Sequence, residues 1–270
     1  MQAGRITLLG EVMDAVTRDE VMAFTAARAA EGRKALVANH NLHSLHLLKQ
    51  DRSMGAIYAL ADLIEIDSMP LIAWGRLLGH RLGREHRNTY LDWREAFWTL
   101  AANQRWRVFH LGCRPGVGEA AAALLQDRFP GVEIAQDDGY FDPNGAENDR
   151  IIDRIRAFAP QVLFVGMGMP RQERWIVDNW DRLPDAVVFP IGAAFDYEAG
   201  VVPTPPRWTA ALHLEWFARF LAEPGRLFHR YFVEPWSLVP SAFCDLGRRL
   251  RTGRPRPPAA APPQTSLTPP

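Results

Sequence analysis

The sequence is short of cysteine: Cys113 and Cys244 are the two thiols in 270 residues. Two isolated thiols exclude a disulfide framework and a cysteine-rich zinc site, and fit a reducing compartment. Excess charge of either sign is missing as well. Thirty-one basic side chains balance 31 acidic ones, so no net field draws the chain to nucleic acid or to a polyanion. Long apolar runs are missing too, because polar residues interrupt each one before the ~20 residues that a membrane span needs. The first residues lack the basic start, apolar run and cleavage site of a secretory leader, so none is expected. No solenoid-type repeat is present. What is there is a chain that is 47% hydrophobic, enough to bury a full core in one large domain or two closely packed lobes.

Hydrophobic patterning predicts alternating strands and helices. A strand over 6–9 leads to a helix started by the capping box Thr17 and Glu20 and closed by Gly32. A buried strand over 35–38 runs into the polar patch Asn39, His40 and Asn41. Another strand, over 63–66, delivers Asp67, and an apolar helix follows from about Met69. The stretch 79–88, rich in Gly, Arg, His and Asn, is expected as a lobe boundary. Beyond it the rhythm repeats with strands over 107–111, 132–135, 161–166 and 186–190. The expected fold is α/β: a Rossmann-like, mostly parallel sheet with helices on both faces, plus a C-terminal helical appendage. Residues 1–202 form the core, as lobes 1–88 and 89–202. Residues 203–252 form the appendage, and 253–270 a disordered Pro-rich tail.

The most specific stretch is 161–176, QVLFVGMGMPRQERWI. A strand stops at Gly166, Gly168 follows, and Pro170 opens a helix bearing Gln172 and Glu173, which points to ligand binding at a strand end. The turn with Gly112, Gly116 and Gly118 lacks Rossmann spacing but suits a phosphate-facing loop. The segment GAAFD brings Asp196 to the same rim, where parallel sheets bind ligands. Asp67 alone reads as a helix cap or as a catalytic acid. His40, His43 and His46 share a spacing of three, yet no carboxylate or cysteine pattern makes them a metal set. Arg219, Arg226 and Arg230, among aromatics, suit a diphosphate or an anionic lipid head group.

Together, VGMGMPRQE, GAAFD and LEWFARFLAEPGRLFHRY resemble the bacterial WecG/TagA/CpsF glycosyltransferase family. The resemblance implies an inverting enzyme moving a sugar from a UDP-sugar to a polyprenyl-diphosphate-linked acceptor at the inner face of the cytoplasmic membrane. No metal and no cofactor are implied. Carried over, Asp67 is the catalytic base. Asn39, Gly112, Gly166, Gly168, Gln172, Glu173 and Asp196 bind the donor, and Arg219, Arg226 and Arg230 the acceptor diphosphate. The chain departs from the family at Val37, Ser68 and Thr204, where threonine, glycine and arginine are usual, which suggests a branch acting on exopolysaccharide. A homo-oligomer is compatible with this reading. The sequence is also compatible with two alternatives: an NAD- or S-adenosylmethionine-dependent enzyme using the HLGCRPGVG turn, and a non-catalytic sugar-nucleotide sensor.

Overall fold

A computed structural model describes residues 4–204, 217, 220–221 and 224–252. Strands β1 (Gly4–Leu8) and β2 (Glu11–Ala15) form an antiparallel hairpin. Its second strand was not expected. Leu9 and Gly10, both at positive φ, make the two-residue turn. Helix α1 (Arg18–Glu31) carries the expected capping box, and Gly32 closes it at φ 59°. There follow β3 (Ala35–His40), α2 (Leu42–Gln50), α3 (Gly55–Leu60), β4 (Leu63–Ile66), α4 (Met69–Leu77) and α5 (Tyr90–Asn103). The second half supplies β5 (Arg107–Gly112), α6 (Val117–Arg128), β6 (Glu133–Asp137), α7 (Ala146–Phe158), β7 (Val162–Gly166), α8 (Arg171–Asn179), β8 (Val187–Pro190) and α9 (Ala194–Glu198).

Six parallel strands run in the order β4-β3-β8-β7-β5-β6. The stretch 79–88 therefore separates strands of one continuous sheet, and Asn88 N–H donates to the Ile66 carbonyl at 2.9 Å. Alternation along β7 explains why both faces are covered. Phe164 packs among Trp93, Phe97, Trp98 and Phe195 on one side, while Leu163 and Val165 meet Ile151, Ile155 and Ile176 on the other.

Beyond Leu36 the central ladder stops. Strands β3 and β8 pair at Ala35 with Val187 and Leu36 with Val188, and the cleft opens past that point.

Near the C-terminus, α10 (Pro224–Phe228) and α11 (Val239–Thr252) flank irregular helical turns. Buried Asp245 on α11 accepts from Leu9 N–H at 2.7 Å and Trp74 Nε1 at 3.2 Å. Helix α2 holds the intervening turns: His43 Nδ1 meets Glu234 Oε2 at 2.5 Å, His46 Nδ1 meets Ser237 Oγ at 2.9 Å, and Lys49 Nζ donates to Ser241 Oγ at 2.8 Å. The spaced histidines thus serve packing, and no metal-binding cluster occurs among the described residues. Among those residues, no helix is long and apolar enough to cross a membrane. The tail expected over 253–270 lies outside the described residues.

Candidate active site

The floor of the site is backbone. Gly112 and Gly166 are paired on β5 and β7. A Cβ on Gly112 would sit 2.3 Å from the Gly166 carbonyl oxygen, and one on Gly166 would sit 2.6 Å from the Gly192 carbonyl oxygen and 2.9 Å from His110 Nε2. Three strand ends therefore approach as only glycine permits. Gly168 differs: it sits at φ 78°, and a Cβ there would meet nothing within 4 Å.

Gln172 fastens this floor. Its Oε1 accepts from Gly168 N–H at 3.0 Å and from Gly192 N–H at 3.1 Å, joining the loops after β7 and β8. Gly168 thus offers space to a ligand, its amide hydrogen being used internally. Gln172 Nε2 donates to Glu173 Oε1 at 2.8 Å, which sets the amide the right way round. Burial raises the Glu173 carboxyl to about 7, against the lowering effect of that hydrogen bond. Helix α8 begins after Pro170 with no side-chain cap. Helix α6 likewise opens without a side-chain cap, after Gly116 at φ 83°; its first amide, Val117 N–H, is used by the Arg114 carbonyl at 3.1 Å, and the next two amides, of Gly118 and Glu119, stand at the rim.

Across the cleft, β3 and β4 supply the acid. The Asp67 N–H donates to the His40 carbonyl at 2.8 Å, and Asn41 Nδ2 reaches Asp67 Oδ2 at 3.4 Å. Asn41 is the N-cap of α2, its Oδ1 accepting from Ser44 N–H at 3.0 Å. Asn39 Nδ2 donates to the Pro190 carbonyl at 3.1 Å, and Tyr58 OH donates to the Asn39 carbonyl at 3.2 Å. His40 stacks on Tyr58 with ring centres 3.9 Å apart, and burial lowers its pKa to about 3, leaving it neutral.

Asp196 on α9 accepts from the Cys113 thiol at 3.4 Å. Cys113 holds a left-handed φ of 64°, and burial followed by the Asp196 charge pushes its thiol pKa up. It is protonated and no nucleophile. Expected as an ordinary thiol, it instead fixes a rim carboxylate. His110, on β5, is fully buried, stacked on Phe195 at 3.8 Å and lowered to about 3 by burial. Asn41, Tyr58, Cys113 and His110 carried no role in the sequence reading; the signal for Asn41 was its place in the polar patch after a strand.

Of the arginines, Arg219 and the Arg226 side chain lie outside the described residues. Arg230 lies close enough to His43 to lower its pKa, an effect second to burial. A surface cavity of about 650 Å³, lined by Arg105, Trp106, Arg107 and Glu133 among others, lies at the amino ends of the strands, away from this rim.

A carboxylate on one bank, a glycine floor fastened by an amide on the other, and a helix N-terminus without a side-chain cap make the carboxyl edge of this doubly wound α/β sheet the candidate ligand site. The chain belongs to the glycosyl transferase WecG/TagA/CpsF family, whose model matches residues 6–252. It is similar to the N-acetylglucosaminyldiphosphoundecaprenol N-acetyl-beta-D-mannosaminyltransferase of Staphylococcus aureus strain MRSA252, at 33% identity over 150 residues. The match spans 55% of this chain and 58% of that relative. The protein of the same name from strain NCTC 8325 / PS 47 is 32% identical over 150 residues, with the same shares.

Proposed function

We propose that the protein is an inverting glycosyltransferase that moves a sugar from a UDP-sugar to a polyprenyl-diphosphate-linked saccharide in surface polysaccharide synthesis. The observation that carries the reading is Asp67 just past the end of β4, steadied by Asn41, at the same carboxyl edge of the sheet as the glycine floor and beyond the point where the β3–β8 ladder stops. Asp67 takes the proton of the acceptor hydroxyl during attack, a contribution of ~10²- to 10⁴-fold. Attack in one step inverts the anomeric centre. Negative charge then grows on the departing UDP, and the first-turn amides of α6 beside Gly112 meet it, aided by arginines. Gly168 leaves room for the donor, while Gly166 lets the strand ends close beneath it. Gln172 and Glu173 hold the loops that shape its pocket, Asn39 holds the mouth through Pro190, and Asp196 takes the donor's polar groups.

Arg219, Arg226 and Arg230 receive the acceptor diphosphate in this reading. The protein is peripheral on the inner face of the cytoplasmic membrane, which fits the exposed Phe228, Phe232, Trp236 and Phe243 of the C-terminal segment that also carries Arg230. Flotation with anionic vesicles tests this, and loss of binding in Trp236→Ala with Phe243→Ala is expected; unchanged flotation would remove the membrane surface from the reading.

The relatives' name makes an N-acetylmannosaminyl donor and an N-acetylglucosaminyldiphosphoundecaprenol acceptor the first pair to test. UDP release requiring both is expected. Binding of UDP without release with any lipid-linked acceptor would favour a sensor, and binding of NAD or S-adenosylhomocysteine in its place would overturn the reading.

A further inference from the structure

Glu65 lies on β4 directly opposite Asn39 of β3. Paired positions on neighbouring strands ~4.8 Å apart send their side chains to the same face, which places the two end groups side by side on the sheet. Glu65 is 3% exposed. Glu65 Oε1 and Asn39 Oδ1 are both buried and both without a hydrogen-bond partner. The Asn39 amide nitrogen is committed to Pro190 on the β8 side, which turns its oxygen toward β4, since β3 lies between the two. Two buried acceptor oxygens side by side repel unless a proton lies between them, and an orphaned buried polar atom costs ~1–3 kcal/mol.

We infer that Glu65 is a neutral carboxylic acid that donates its proton to the Asn39 carboxamide oxygen, and so acts as a positioning residue for the cleft. The result is a relay across three strands: the Glu65 hydroxyl to Asn39, and the Asn39 amide to Pro190 at the mouth. The surroundings agree. Burial first, then Asp67, then Asp92 on α5 push the Glu65 carboxyl well above the usual carboxylate range, while Arg87 is engaged with Asp92 at 2.8 and 3.0 Å.

The functional consequence rests on the transferase reading, whereas the protonation state does not, so the test has two arms. Infrared difference spectra of the full chain at neutral pH compare wild type with Glu65→Gln. A carbonyl band of a protonated carboxyl is expected in wild type and lost in the variant. In the kinetic arm Glu65→Gln, whose amide also donates to Asn39, keeps turnover and donor KM near wild type. Glu65→Ala loses about tenfold in kcat/KM, the scale of one buried hydrogen bond. No band difference, or a Glu65→Gln as impaired as Glu65→Ala, overturns the inference. If no variant and no wild type transfers sugar, the transferase reading fails, and the infrared arm alone decides Glu65.

Discussion

Asn39 Nδ2 hydrogen-bonds the Pro190 carbonyl oxygen at 3.1 Å, joining two strands whose own ladder has ended at Leu36. A side chain takes over where the backbone has let go, and it fixes the width of the cleft mouth. Asn39→Asp removes the donor and sets a carboxylate against that carbonyl, beside Glu65 and Asp67. A loss of about 1–3 kcal/mol in urea unfolding is expected. An unchanged midpoint would show that the mouth is held by other contacts.

Asp67→Asn keeps the shape of the acid and removes its basicity. Turnover is expected to fall ~10²- to 10⁴-fold while the UDP-sugar still binds in calorimetry. A folded variant turning over at the wild-type rate would take the base away from Asp67.

The glycines separate crowding from conformation. Gly112→Ala and Gly166→Ala each force a methyl into backbone less than 3 Å away, and a loss of ~1–3 kcal/mol or more is expected. Gly168→Ala meets open space but a left-handed φ, at a cost of ~1–2 kcal/mol. Thermal unfolding should rank Gly168→Ala as the mildest; the reverse order contradicts the close-approach argument.

Glu173 links stability to pH. Its folded value of about 7 lies above the ordinary 4.5, so the folded chain binds the proton more tightly. Its contribution is fully present below 4.5 and is lost as pH rises through 7. At ~1.4 kcal/mol per unit it amounts to about 3 kcal/mol. The difference between wild type and Glu173→Gln in unfolding free energy should change across that window and level off above it. A flat difference would mean that Glu173 stays ionised when folded.

Asp245 ties α11 to the hairpin turn and to α4 through two donors. Asp245→Ala strands Leu9 N–H and Trp74 Nε1, each worth ~1–3 kcal/mol when buried and unpaired. Increased proteolysis at the C-terminus is expected, and wild-type resistance would mean that the helix is held by its apolar face.

Most of the fold was legible because its signals are local. The capping box at Thr17, the strand at 63–66 and the strand ending at Gly166 need no knowledge of distant partners. Strand β2 was not, because EVMDA carries an aspartate in a strand, a residue that strands disfavour. Asp14 is accepted there since Arg5 Nε at 2.9 Å and Ile64 N–H at 2.8 Å satisfy its buried oxygens, and those partners are invisible until the chain is folded. The site divides the same way. Gly112, Gly166, Gln172 and Asp67 stand out by position at strand ends. Glu65 and Cys113 matter through what lies across from them on another strand or loop, Asn39 in one case and Asp196 in the other.

Helix α2 has one further consequence. Its N-cap, Asn41, touches Asp67, and its outer face carries His43, His46 and Lys49 against Glu234, Ser237 and Ser241. Nine residues of rigid rod thus stand in mechanical series between the C-terminal turns and the acid. Since ~1 Å of misplacement costs an active site ~10²-fold, the proposed reaction would feel the seating of those turns through Asn41. Loads applied at one end of the molecule are felt as geometry at the other.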